Sequence, residues 1–290
     1  MMRIFKIILW SIGIGWGLII SMYLCRIFIC DQFVIPTYSM TPTLIPGDYV
    51  LVNKILFGAR IYEDLKFGKD IPMKSWRMPK LRPIHPNDIV IFNAPHGYDR
   101  GKIEFKLNYV YCKRCWGTPG DSISIQHSLY KNSNFPHPIG DTVQQKTLEL
   151  LPDSSIPKGV MRVFPYNDKL FGWTIKNMGK LYIPRVNDRI LIDKYNYALY
   201  KPIIEYETQQ SLSMEDGVVR LGKSPINNYT FKENYYYFCG DNAPDSKDSR
   251  YLGFVPESFI IGIVTRISYS KDRYSGEIRW DRVWKNIKPL

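Results

Sequence analysis

Histidine is nearly missing from this 290-residue chain: four are present, His85, His96, His127 and His137. None stands in a distinctive triad context, and His85 and His137 each precede a proline in loop-like sequence. Cysteine is almost as sparse. Cys25 and Cys30 fall in or beside an amino-terminal apolar run, while Cys112, Cys115 and Cys239 lie in the body. An odd body count argues against a disulfide framework. Cys112-x-x-Cys115 has no second CxxC or histidine pair to complete a zinc set. On a strand these two side chains would face opposite ways, so they read as small buried residues. Asp and Glu are not clustered as ligands and no Gly-rich phosphate loop occurs, so no metal or organic cofactor is expected. Acid is in deficit, 27 residues against 39 basic ones, a net charge of +12. The first 30 residues hold Arg3, Lys6 and Arg26 and no acid. Such a balance suits an anionic phospholipid surface or nucleic acid. No nucleic-acid motif or dense basic run is present, so no nucleic-acid partner is expected, and a generally basic surface accounts for the body.

Long hydrophobic runs are missing too, with one exception. Residues 7–25, IILWSIGIGWGLIISMYLC, run for 19 residues without a charge. As a helix at about 1.5 Å per residue this roughly spans a bilayer core of about 30 Å. A cleaved signal peptide would have a shorter core and a small-x-small cleavage site; SMYLCRIF offers none. Tyr23 and Leu24 are too bulky to precede a lipidated Cys25. The segment therefore reads as an uncleaved anchor in contact with membrane lipid. Arg3, Lys6 and the amino terminus place that end in the cytoplasm and the body outside.

Beyond residue 31 the helical period is hard to find. Turn pairs lead instead into short β-prone runs: PGD into YVLV, PND into IVIF, PGD into SISI, ND into RILI. The expected fold is mostly β: a single amino-terminal transmembrane helix, then an extracytoplasmic antiparallel β domain with an inserted second β region. The expected boundaries are 1–30 for the tip and anchor, 31–125 and 231–290 for the two parts of the β domain, and 126–230 for the insertion. Residues 53–85, rich in Gly, Pro and basic residues, read as a long loop. The run YYYF at 235–238 reads as a buried strand, with an interfacial belt as the competing reading.

Ser39 sits in VIPTYSMTPTLIPGDYVLV, just beyond the anchor. It is either a turn residue or a nucleophile held close to a membrane. A serine nucleophile needs a base. Without a credible histidine, that base is a carboxylate or a lysine, and Ser-Lys pairs are chemically sound. A free lysine, with a pKa of about 10.4, is a poor base at neutral pH. Burial without a counter-ion lowers that value. Lys113 lies in YVYCKRCW. On a strand it shares a face with Tyr111 and Cys115 while Arg114 points away, which would bury one cation and leave the next solvated. Two surface charges are the competing reading.

Four blocks in order carry more than any one of them: the Ser39 block after the anchor, DIVIF at 88–92, KRCWGTPGD at 113–121, and GDNAPDSKDSRYLGFVP at 240–256. Together they resemble a bacterial type I signal peptidase. The resemblance implies Ser39 as nucleophile and Lys113 as general base. It implies an oxyanion hole from the Ser39 N–H and the Thr37 hydroxyl, and Ser246 as the residue orienting the lysine. Asp248 and Arg250 would form a bracing pair, and Gly240 would allow close backbone approach. The implied substrate is the signal peptide of an exported preprotein, cut after small residues at −3 and −1, at the bacterial inner membrane. Thr37 replaces the usual serine, and Tyr38 replaces the usual glycine, a residue that cannot take positive φ cheaply. Ala243-Pro244 is a further local variant. Two other readings stay open. One is a different Ser-Lys peptidase such as a self-cleaving repressor, for which a helix-turn-helix is missing. The other is a catalytically silent, membrane-anchored β scaffold that binds preproteins, which Tyr38 keeps in play.

Overall fold

The computed structural model describes residues 2–63, 75–95 and 102–287. It opens with a 27-residue helix, Met2–Phe28. Within it Phe5–Phe28 has a mean hydropathy of 1.9 and no buried residue, and is long and apolar enough to cross a membrane. Its large side chains are exposed on every side, Trp10 and Trp16 among them. A helix that is apolar all round has no water-facing side. Arg26 in the last turn complements the negative end of the helix dipole.

The body is built on a curled, antiparallel seven-stranded sheet. Its order is Cys30–Val34, Asp48–Asn53, Ile260–Ser270, Ile89–Asn93, Val110–Gly117, Tyr235–Cys239, Val255–Pro256. The alternation in DYVLVN produces a strand that buries Asp48, Val50 and Val52 and leaves Tyr49, Leu51 and Asn53 half-buried. Ile89–Asn93 is buried at every position, the mark of a strand covered on both faces. The register of Ile260–Ser270 against Asp48–Asn53 shifts twice, at Val264/Arg266 and at Ile267/Tyr269. Such bulges sharpen the local twist and help to curl the sheet. The YYYF run lies inside Tyr235–Cys239, and all five residues are buried, so it is a core strand and not an interfacial belt.

Three apolar clusters fill the fold. One packs Ile35, Met40 and Leu44 against Val50, Ile89 and Ile91, directly under the Ser39 turn. A second contains Phe57, Phe92, Phe238 and Phe259. The largest runs from Trp116, Tyr237 and Phe254 of the sheet region into Ile123, Leu181, Ile203 and Phe231.

The chain between the lysine strand and Tyr235 contains a three-stranded sheet, Leu129–Asn132, Ser122–Gln126 and Met178–Tyr182, with a second three-stranded sheet and a two-stranded one. It also contains helices that the turn-and-strand reading did not anticipate, Thr142–Leu150 and Lys194–Thr208. The second is a poor helix former, rich in Tyr and Ile and carrying Pro202. Its start is set by Asp193, which accepts hydrogen bonds from the Tyr195 and Asn196 amides. Its buried face is Leu199, Tyr200, Ile203 and Ile204. In the stretch read as a long loop, Arg60–Tyr62 pairs with Ser75–Arg77.

Candidate active site

Ser39 lies on a short 3-10 turn, Tyr38–Met40, entered from an extended Thr37 (φ −131°, ψ 166°). Local sequence explains the turn. Met40 and Leu44 are sunk in the core below, so the intervening backbone must fold over them. The turn is also held from across the fold. The Asn242 amide N–H donates to the Ser39 carbonyl and its Nδ2 donates to the Tyr38 carbonyl, each at 3.2 Å. Tyr38 is 54% exposed at the rim of the cleft. It is not among the residues with positive φ, so the conformation that would have required glycine does not arise here.

Lys113 enters from the Val110–Gly117 strand, opposite Val90 of the neighbouring strand. Its Nζ is in direct hydrogen-bond contact with Ser39 Oγ, across 74 positions of sequence. The Thr37 hydroxyl lies 3.4 Å from the same Oγ. Lys113 is only 4% exposed. Burial pushes its pKa down by disfavouring the ammonium. Asp248 pulls the other way and the Arg250 cation reinforces the fall. The Nζ also stands over the Tyr111 ring, 5.4 Å from its centroid. A cleft of about 290 Å³ opens on this pair, lined among others by Ile35, Tyr38, Tyr111, Cys112, Asp245 and Lys247. None of the described histidines lines it; His96 lies outside the described residues. Among the described residues no cluster suited to a metal ion occurs.

The 240–250 loop packs against the serine turn. A Cβ on Gly240 would sit 2.4 Å from the Ser39 carbonyl oxygen and 2.1 Å from Ser246 Oγ. The close approach is therefore possible only without a side chain. Gly240→Ala is expected to displace the serine turn and lower kcat/KM about 10²-fold, checked by peptide cleavage kinetics beside a circular-dichroism melt. Asp248 accepts the Gly240 N–H at 2.9 Å. It also grips Arg250 through two 2.9 Å hydrogen bonds, with both side chains fully buried. Burial alone would raise the Asp248 carboxyl; the Arg250 guanidinium holds it below the usual carboxylate range. Ser246 stands beside Gly240, and its hydroxyl is buried without a hydrogen-bond partner among the described residues.

Arg114 is not solvated, contrary to the expectation from strand alternation. It is fully buried, with Nε and Nη2 each 2.6 Å from an Asp241 oxygen and Nη1 2.8 Å from the Asn87 carbonyl. The alternation argument assumed one wet face, whereas here both faces of the strand are covered. The guanidinium fork meets a carboxylate and a carbonyl, which makes such burial tolerable. Asp241 and Asn242 thus belong to the site's framework, and the sequence reading gave neither a role. The one signal was their place inside the GDN block.

The model of the family described as "Signal peptidase, peptidase S26" matches residues 6–165 and 180–269. Signal peptidase I of Buchnera aphidicola subsp. Baizongia pistaciae is 27% identical over 274 residues, covering 92% of this chain and 79% of that protein. Signal peptidase I of Rickettsia akari is 29% identical over 82% of this chain and 71% of its own length. That of Haemophilus influenzae is 25% identical over 92% and 72% respectively. A solved signal peptidase I from Enterococcus faecalis V583 is 16% identical, with a TM-score of 0.30 over 63% of this chain and 97% of that one.

Proposed function

This chain belongs to the signal peptidase, peptidase S26, family, and we propose that within that family's reaction Ser39 is the nucleophile and Lys113 the general base. As a member it is a serine endopeptidase, a hydrolase that removes signal peptides. The observation that supports the residue roles is the contact between Lys113 Nζ and Ser39 Oγ at a buried lysine that pairs with no carboxylate among the described residues. In its neutral form the amine accepts the Ser39 proton as Oγ attacks the scissile carbonyl. The resulting ammonium then gives that proton to the leaving amine. Water enters the ester, is deprotonated by the same amine, and releases the new carboxyl terminus. The Ser39 N–H and the Thr37 hydroxyl hold the oxyanion. Preproteins with small residues at −3 and −1 fit the shallow cleft. The Met2–Phe28 helix anchors the enzyme, with the catalytic body on the extracytoplasmic side of a bacterial inner membrane. Substrate and enzyme tethered to one bilayer meet at raised effective concentration.

The test is cleavage of several purified preproteins by the detergent-solubilised chain, with Ser39→Ala as the paired control. Cleavage at a small-x-small site, lost in the variant, is the expected result. Failure on every preprotein would turn the reading to a silent scaffold. The oxyanion role predicts that Thr37→Val lowers kcat about 10²-fold while Thr37→Ser stays near the parent, read from kcat at saturating substrate. The base role predicts a pH profile. Below the Lys113 pKa the ammonium cannot accept a proton, so kcat/KM rises with pH through that value. Because burial lowers it, the midpoint falls below the ordinary lysine value of 10.5. A midpoint at or above that value would remove Lys113 from the base role.

A further inference from the structure

Two cysteines outside the cleft stand together where the apolar helix meets the sheet. Cys25 lies in the helix near its carboxyl-terminal end, and Cys30 opens the first strand. Their sulfurs are 3.7 Å apart. Their side chains are half-buried, unlike the fully buried Cys115 and Cys239. The joint between them is held by interactions of its own. Asp31 accepts from Arg26 Nε at 3.0 Å and from Lys54 Nζ at 3.3 Å. Lys54 Nζ also reaches the Arg26 carbonyl at 2.6 Å. The Ile29 amide donates to the Cys25 carbonyl and the Lys54 amide to the Ile29 carbonyl, both at 2.8 Å. This clip fixes the backbone on both sides of the two sulfurs and holds them near one another.

We propose that Cys25 and Cys30 form a disulfide that staples the membrane helix to the catalytic sheet, made by exchange with a protein disulfide oxidant. One cysteine thiolate attacks the oxidant's disulfide and forms a mixed disulfide. The second thiolate then displaces the oxidant's sulfur. The two cysteines lose two protons and two electrons, one S–S bond forms and one breaks, and the oxidant leaves as its dithiol. Burial, and then the neighbouring Cys25 sulfur, push the Cys30 thiol up, which lowers its thiolate fraction and slows the exchange. The inference rests on the proposed extracytoplasmic placement of the body for where the oxidant is met. It does not depend on Ser39 or Lys113.

The full chain, in phospholipid nanodiscs, is incubated with oxidised glutathione as the probe. It is then acid-quenched, denatured and alkylated with a maleimide. Trypsin cuts after Arg26, between the two cysteines, so their peptides remain together only if a disulfide joins them. The expected result is alkylation of three of the five cysteines. The Cys25 and Cys30 peptides are joined and separate on reduction, and Cys25→Ser abolishes the joined species. Alkylation of all five, stable glutathione adducts on the separate peptides, or a Cys30–Cys112 link would each overturn the proposal. The readout requires no cleavage of a preprotein, so its failure is distinguishable from failure of the peptidase reading.

Discussion

Lys113→Met is expected to lower preprotein cleavage by on the order of 10⁴-fold, the scale seen when one member of a serine nucleophile–base set is removed. Methionine keeps an unbranched apolar stem in a site that is 4% exposed, so packing is nearly preserved while the amine is lost. The chain should not unfold. The wild-type amine is desolvated at a cost to stability, and removing it relieves that cost. A thermal melt of the variant no lower than the parent's, beside lost activity, separates chemistry from folding. Two companions sharpen the result. Lys113→Arg should not rescue, because a guanidinium stays protonated at every usable pH and cannot accept the Ser39 proton. Ser39→Ala combined with Lys113→Met should lose no more than either single change, because the two act as one unit. Activity surviving in Lys113→Met would mean that another group is the base, and Asp245, which lines the same cleft, would be examined next.

Asp241→Ala is expected to destabilise the body by about 3–5 kcal/mol, the range for removing one partner of a buried ion pair. The reason is the state in which it leaves Arg114. That guanidinium is 0% exposed, and two of its nitrogens bond to Asp241 at 2.6 Å. Without the carboxylate it retains the Asn87 carbonyl at 2.8 Å and a long contact to the Thr43 hydroxyl at 3.3 Å, neither of which balances a buried charge. Arg114→Met with Asp241→Leu should recover most of the loss, since paired apolar replacements of buried ion pairs are often neutral. Equilibrium urea unfolding of the parent, Asp241→Ala and the double variant measures this directly. A loss below about 1 kcal/mol in Asp241→Ala would show that water reaches the pair, as at exposed bridges. The pair also matters for the site. It ties the lysine strand to the loop whose next residue, Asn242, holds the Ser39 carbonyl. The double variant should therefore regain stability more fully than activity.

Much of this is legible in the sequence. An uncharged run of 19 residues announces a helix long and apolar enough to cross a membrane. Turn pairs leading into alternating runs announce strands, and four ordered blocks carry the family resemblance. The misses share a cause. Arg114 was read as wet because alternation tells which residues share a face, not whether that face is covered. The Lys194–Thr208 helix was missed because its residues are weak helix formers. Its capping by Asp193 and the packing of Ile203 and Ile204 decide the matter.

By itself the sequence determined a run long and apolar enough to cross a membrane, the β character of the body and the residue types able to do acyl-transfer chemistry, because these depend on local length, period and composition. Only the tertiary structure decided which of those residues meet. Strand order brings Lys113 to Ser39 across 74 positions, and it sinks Arg114 onto Asp241 across 127. A lysine's proton affinity is set by the dielectric around it. That dielectric is created by residues from distant parts of the chain, so it exists only once the sheet has closed over the site.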